Sequence, residues 1–114
     1  MTDIVINTVH GGFGLSAEAI ERYFFYKGWV LVEEDYKGMI KLYYRDEVRE
    51  DKLFDERSIA RDDPNLVRVV KELGHKANGR YASLNVVTIP DDVKWEVKEY
   101  DGLEHVAEVH RVWY

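Results

Sequence analysis

The fold is indicated most clearly by residues 63–74, which read DPNLVRVVKELG. Four apolar residues recur there at i, i+3, i+4 and i+7, the spacing of the buried face of an amphipathic helix: Leu66, Val69, Val70 and Leu73. Asp63 suits the N-cap and Pro64 suits the first helical position, while Gly74 ends the pattern. The stretch therefore predicts a helix with well-defined ends and one apolar face.

A second helix is predicted upstream, from about Ala17 to Lys27, between an N-cap at Ser16 and a C-terminal Gly28. Strand patterns are expected at residues 4–9, 29–32, 39–45, 80–89 and 93–98. Asp101-Gly102 is a hairpin signal that predicts a last strand over residues 103–113, although a short helix also suits that segment. The charged residues 46–62 predict a long, partly ordered connection.

These elements predict a single α+β domain over residues 1–114. Two helices would pack on an antiparallel sheet of about five strands, a common strand number. A chain of 114 residues can bury a core of its own without disulfides or a metal.

Composition excludes several function classes. The chain has no cysteine, which excludes thiolate catalysis and cysteine-ligated zinc. A net charge of −6 without a basic run disfavours nucleic-acid polymers as partners. The start of the sequence lacks a signal-peptide pattern, and no apolar run approaches the ~20 residues of a membrane span, so a cytoplasmic protein is expected and a membrane partner is not.

A glycine-rich turn precedes the first predicted helix. Gly12, Gly14 and Ala17 match G-x-G-x-x-[G/A], and the acidic Glu33 and Glu34 follow about 20 residues on. The chain is short for a two-half dinucleotide fold and its later order is rich in strands, so a tight turn that needs positive φ is the favoured interpretation. A helix end that binds phosphate within a different fold is a third interpretation.

Cationic, amide and aromatic side chains provide candidates for a nucleotide site. Arginine binds phosphate through a planar fork, asparagine can bind an adenine edge, and aromatic rings can stack on a base. Solvated surface pairing is the ordinary alternative for each charged residue. The candidate ligand-binding residues are Gly12, Phe13, Gly14, Arg22, Asn78, Arg80, Tyr81, Asn85, His110 and Arg111.

The histidines match no recognised catalytic or metal-binding spacing. His105 and His110 lie near Glu104 and Glu108, but residues five apart on a strand face opposite sides of a sheet. No catalytic residue, metal site or cofactor is therefore predicted.

Two regions carry a resemblance to a family of small proteins of tailed phages and prophages. The segments that carry it are residues 4–7, 11–16, 87–97, 99–102, 106–108 and 110–113, and the second predicted helix with its glycine-rich exit also fits. The resemblance extends over most of the chain but not over residues 46–62. Within this group the chain resembles the Thoeris anti-defence sponge proteins. The resemblance implies a non-catalytic homo-oligomer that takes up a cyclic ADP-ribose signal, or a cyclic oligonucleotide, in the host cytoplasm.

The sequence thus predicts sequestration of a small cyclic nucleotide signal without catalysis. Two alternatives stay open. One is a protein-binding module that inhibits a host enzyme, and the other is a small hydrolase that uses His105 or His110 with a carboxylate.

Overall fold

The structure is a computed structural model that describes residues 1–36, 39–45 and 51–109, with side chains described for residues 1–32 and 54–109. The described part is α+β, with two helices and antiparallel strand pairs. The helices are α1 (Ala17–Lys27) and α2 (Pro64–Leu73). The described strands are β1 (Thr2–Asn7), β2 (Val30–Tyr36), β3 (Met39–Arg45), β4 (Asp51–Leu53), β5 (Leu84–Ile89), β6 (Trp95–Tyr100) and β7 (Leu103–Glu108).

Both helices begin and end where the sequence predicts. The Ser16 side chain accepts from the Ala19 amide at 3.1 Å, and Gly28 takes the left-handed conformation after α1. Asp63 accepts from the Asn65 amide at 2.8 Å, so that it caps α2 ahead of Pro64. The local capping signals therefore determine both helix boundaries.

The described strands are divided among three small sheets rather than forming one continuous sheet. β1 pairs with β5, β2–β3–β4 form a meander, and β6 pairs with β7. The strand prediction for the last segment is confirmed as far as Glu108, and residues 110–114 lie outside the described residues. Asp101 and Gly102 both have positive φ between β6 and β7, as a two-residue type I′ hairpin turn requires.

The predicted connection over residues 46–62 is more ordered than expected in its described part. It contains β4, a 3₁₀ turn at Glu56–Ser58 and the buried Ile59. Residues 46–50 lie outside the described residues.

The core lies between the two helices and the β1–β5 ribbon. Tyr23 and Phe24 of α1 and Leu66 and Val69 of α2 are buried in one cluster with Val5 of β1. This packing leaves the end of β1, the start of β5 and the tip of the β6–β7 hairpin at one edge of the core. Among the described residues, neither helix has the length and apolar character needed to cross a membrane.

Candidate functional site

Three backbone segments meet around Gly11 and Gly12: the end of β1, the segment before β5 and the tip of the β6–β7 hairpin. The Thr8 amide donates to the Ser83 carbonyl at 2.8 Å, which joins the first two segments. A Cβ atom added at Gly102 would lie only 2.6 Å from the Gly11 nitrogen, so the hairpin tip is in van der Waals contact with the turn. The glycines allow a close backbone approach that no larger residue permits.

Aromatic and cationic side chains surround this contact. Tyr81 and Tyr100 are 65% and 78% exposed. The Arg80 guanidinium carbon lies 5.3 Å from the centre of the Tyr81 ring, and the His10 ring lies 6.4 Å from that of Tyr100. We call this region the Gly-turn surface and define it by His10, Gly11, Gly12, Arg80, Tyr81 and Tyr100.

His10 is oriented by the hairpin tip. Its Nδ1 lies 3.1 Å from the Asp101 carbonyl oxygen, which can only accept a hydrogen bond. Nδ1 therefore carries a proton, and in the neutral ring Nε2 is left as an acceptor. The Asp101 carboxylate lies 3.9 Å from Nδ1.

A buried amide holds the three segments together below the surface. The Asn7 side chain is fully buried and donates to the carbonyls of Val9 and Gly102, each at 2.7 Å. Its Oδ1 accepts from the Ser83 amide at 2.9 Å. One side chain thus satisfies backbone groups of all three segments, which fixes their relative positions.

A buried ion pair lies beside Asn7. The Arg61 guanidinium donates to both oxygens of Glu104, at 2.6 and 2.9 Å, and Glu104 also accepts from the backbone amide of Asn7 at 2.8 Å. The guanidinium carbon of Arg61 lies 3.7 Å from the centre of the Phe13 ring. Phe13 also packs against the core, so Arg61 covers a face of the ring that a stacked base would need.

The start of α1 already holds an anionic group of the protein itself. Glu56 Oε2 accepts from the Leu15 amide at 3.0 Å. Burial raises the pKa of Glu56, and the hydrogen bond from Leu15 opposes this shift. The Gly14 carbonyl accepts from the Gly79 amide at 2.9 Å, which closes the turn onto the loop before β5. Glu56 thus holds the Leu15 amide, just before the N-cap Ser16, which a phosphate bound at this turn would otherwise use.

The structure brings together only part of the predicted residue set. Gly12, Arg80 and Tyr81 lie on the Gly-turn surface. Asn78 accepts from the Leu84 amide at 2.8 Å, and Asn85 donates to the Thr8 hydroxyl at 2.7 Å. These two amides are thus engaged with neighbouring parts of the chain.

Arg22 lies on α1, apart from the Gly-turn surface, and donates to Glu72 at 3.1 Å. His110 and Arg111 lie outside the described residues. In the described part of the chain, no group of three histidine, aspartate or glutamate side chains is placed to hold a metal ion. His105 is exposed on β7, and its neighbour Glu104 is held by Arg61.

Sequence reasoning missed Asn7, Arg61 and Glu104. One signal was present in the sequence. Glu104 and Val106 are two residues apart and so lie on the same face of β7, which places a charged residue where an apolar one is expected. An ionised side chain buried in this way needs a partner of opposite charge. The identity of that partner, Arg61, is not encoded in local sequence.

Comparison with known proteins finds no match: no family model fits the sequence, and no curated protein and no solved structure is significantly similar to it.

Proposed function

We propose that the protein binds a small nucleotide at the Gly-turn surface and sequesters it without breaking a bond. The observation that carries the proposal is the juxtaposition of two exposed tyrosine rings with Arg80 around Gly11 and Gly12. Tyrosine is enriched at binding surfaces, because its ring is apolar and its hydroxyl is polar.

Each group has a defined role in this proposal. Tyr81 or Tyr100 stacks on the base, which contributes about 1–3 kcal/mol per base. Arg80 binds a phosphate through its fork, and a hydrogen bond to a charged group contributes about 1.5–3 kcal/mol. Only local positive charge is needed, so the net charge of −6 does not oppose a ligand of this size.

The phosphate is assigned to Arg80 rather than to the helix start. The Leu15 amide is already bound by Glu56, and a phosphate there would face a carboxylate. Phe13 is likewise assigned a supporting role, because Arg61 lies over its ring.

The resemblance to Thoeris anti-defence sponge proteins supports a cyclic ADP-ribose signal, or a cyclic oligonucleotide, as the ligand. On this proposal the protein is a phage anti-defence factor that acts in the host cytoplasm as a homo-oligomer. His110 and Arg111 remain candidates for the same site.

The proposal is tested by incubating the protein with a panel of cyclic ADP-ribose isomers, cyclic oligonucleotides and linear nucleotides. The washed protein is then heated, and the released material is analysed by mass spectrometry. Sequestration returns one ligand intact, a hydrolase returns products, and uptake of nothing contradicts the proposal.

Variants at Arg80 locate the site. Arg80→Ala should weaken binding about 10- to 150-fold, from the loss of about 1.5–3 kcal/mol at ~1.4 kcal/mol per decade. Arg80→Lys should restore part of the affinity, because lysine keeps the charge but loses the fork. Arg57→Ala is the matched control, since Arg57 is also exposed and lies in the 3₁₀ turn. Equal affinity of all four proteins for the ligand would remove Arg80 from the site.

A protein-binding module is the second candidate function. Val9 and Leu103 add exposed apolar area beside Tyr81 and Tyr100, and a partner protein could cover all four. A negative result with the nucleotide panel, together with loss of host-enzyme inhibition in Tyr100→Asp, would favour this function.

A further inference from the structure

The loop before β5, residues 78–83, begins with the one asparagine–glycine pair in the sequence, Asn78-Gly79. In such a pair the backbone nitrogen of the glycine can attack the asparagine side chain, because glycine has no Cβ to hinder the approach. The other asparagines are each followed by a residue with a branched side chain, which crowds that nitrogen: Asn7, Asn65 and Asn85. Asparagine is a thermolabile residue, and this pair is where the sequence leaves it least protected.

The folded chain keeps the two reacting groups apart. The Gly79 amide donates to the Gly14 carbonyl at 2.9 Å, so the attacking nitrogen is engaged with the Gly turn. Asn78 Oδ1 accepts from the Leu84 amide at 2.8 Å, which holds the side chain toward β5. Ring closure requires the Gly79 nitrogen and the Asn78 Cβ to be eclipsed about the Cα–C bond, and the Asn78 ψ of 128° separates them. Cyclisation therefore requires a rotation that the closed loop does not allow.

Close backbone packing resists this rotation. A Cβ atom added at Gly79 would lie 2.6 Å from the Gly14 carbonyl carbon, so the two backbones are in direct contact. The Ser16 amide donates to the Ala77 carbonyl at 2.9 Å, which ties the residue before the pair to the start of α1. Rotating the pair into its reactive conformation breaks hydrogen bonds on both sides of it. The reaction is therefore confined to a locally opened state of the protein.

We propose that Asn78 is a site of spontaneous deamidation that reacts only when the loop before β5 opens, and that its isoaspartate product prevents the loop from closing again. In the open state the Gly79 nitrogen bonds to the Asn78 Cγ and gives up its proton, while the Cγ–Nδ2 bond breaks and ammonia leaves. Water then adds to either carbonyl of the succinimide, which gives isoaspartate or aspartate at position 78. Water is the only co-reactant.

The two products differ in their effect on the Gly-turn surface. Aspartate keeps an oxygen that accepts from the Leu84 amide. Isoaspartate carries the main chain through Cγ, which adds one carbon to the backbone and displaces the Gly79 amide from the Gly14 carbonyl. Arg80 and Tyr81 follow directly, so their placement on the Gly-turn surface is lost. The deamidation does not depend on the proposed function, whereas the loss of ligand uptake rests on it.

The first test follows deamidation in the folded and the urea-unfolded protein at mildly alkaline pH. Peptide mapping by mass spectrometry distinguishes asparagine, aspartate and isoaspartate at each position, and Asn85 is the internal control. In the unfolded chain Asn78 should deamidate well before Asn85. In the folded protein Asn78 should react at least about 10-fold more slowly, since an opening free energy of ~1.4 kcal/mol already lowers the open population tenfold. Equal rates in both states overturn the requirement for opening, and an unfolded Asn78 no faster than Asn85 overturns the site.

The second test examines the isoaspartate protein, separated by ion exchange through its added negative charge. Asn78→Asp is the matched control, because it carries the same charge on an unaltered backbone. Hydrogen exchange followed by NMR should show protected Gly79 and Leu84 amides in the wild type and in Asn78→Asp, and unprotected ones in the isoaspartate protein. Protection retained in the isoaspartate protein overturns the claim that the loop cannot close.

Uptake of the nucleotide panel is measured on the same proteins, and the isoaspartate protein should lose it. If its amides lose protection while uptake persists, the modification site is supported and the proposed ligand surface is contradicted.

Discussion

Replacing Glu104 should destabilise the protein more than replacing any exposed carboxylate on the same hairpin. Glu104 is 6% exposed and accepts three hydrogen bonds, two from Arg61 and one from the backbone amide of Asn7. Glu104→Ala leaves the Arg61 charge without its partner and the Asn7 amide without its acceptor. Both groups then lose the acceptor that offsets most of the cost of their burial.

The magnitude follows from burial on both sides of the pair. Breaking a buried ion pair by removing one partner costs about 3–5 kcal/mol. The Arg61 side chain is 16% exposed and can gain some water, which places the expected loss near 3 kcal/mol. Glu104→Gln keeps an acceptor oxygen but loses the charge, so about half of that loss is expected.

Urea unfolding followed by far-UV circular dichroism measures the free energy of unfolding of each variant. Glu96→Gln is the matched control, because its pair with Lys98 on the same hairpin spans 3.5 Å and is exposed. That variant should lose less than about 1 kcal/mol. If Glu104→Ala and Glu96→Gln lose equal stability, the buried network does not hold the fold as described.

Removing both charges separates the pair from its surroundings. Arg61→Met combined with Glu104→Leu should recover part of the stability that Glu104→Ala loses, because no uncompensated charge is left in the interior. The backbone amide of Asn7 still lacks its acceptor, so the free energy of unfolding of the double variant should stay below that of the wild type by about 1–3 kcal/mol. A double variant less stable than Glu104→Ala would contradict this account.

Three further outcomes are expected. Gly102→Ala should lower the free energy of unfolding by about 3 kcal/mol or more, because its Cβ would overlap the backbone at Gly11. Gly28 also has positive φ but has open space around it, so Gly28→Ala should lower the free energy of unfolding by only about 1–2 kcal/mol. Thermal unfolding of both variants measures the difference. Glu56→Gln should gain stability relative to the wild type as pH rises from about 4 to about 7. Burial raises the pKa of Glu56 in the folded state, so ionisation of Glu56 lowers the free energy of unfolding of the wild type, and the glutamine variant avoids that loss. If the difference in unfolding free energy between variant and wild type is the same at both pH values, this reasoning is refuted. Tyr81→Ala should weaken nucleotide uptake by about 1–3 kcal/mol with little loss of stability, as measured by titration calorimetry and melting temperature, and unchanged uptake would exclude stacking on that ring.

Elements governed by neighbouring residues were predictable from the sequence. Ser16 and Gly28 bound α1, and Asp63 and Pro64 start α2, at the predicted positions. Caps act within one helical turn, so the residues that form them are adjacent in sequence. Asp101-Gly102 predicted its hairpin for the same reason, since the turn conformation depends on those two residues.

The candidate site was predictable only in part. Tyr81 lies against Gly11, next to the predicted Gly12, and Arg80 lies near the Tyr81 ring, although the Leu15 amide is bound by Glu56 and the Phe13 ring is covered by Arg61. Residue types indicate which side chains could bind a ligand. They do not indicate which of those side chains a distant part of the chain has already engaged.

By itself, the sequence determined the α+β class, both helices and the glycine-rich turn between β1 and α1. Only the tertiary structure decided that the described strands form three sheets and that β1 pairs with β5. It also decided that Glu104 joins Asn7, 97 residues away, and Arg61, 43 residues away. The physical reason is range: caps and turns are short-range interactions, whereas strand partners and buried ion pairs depend on which distant surfaces the core brings into contact.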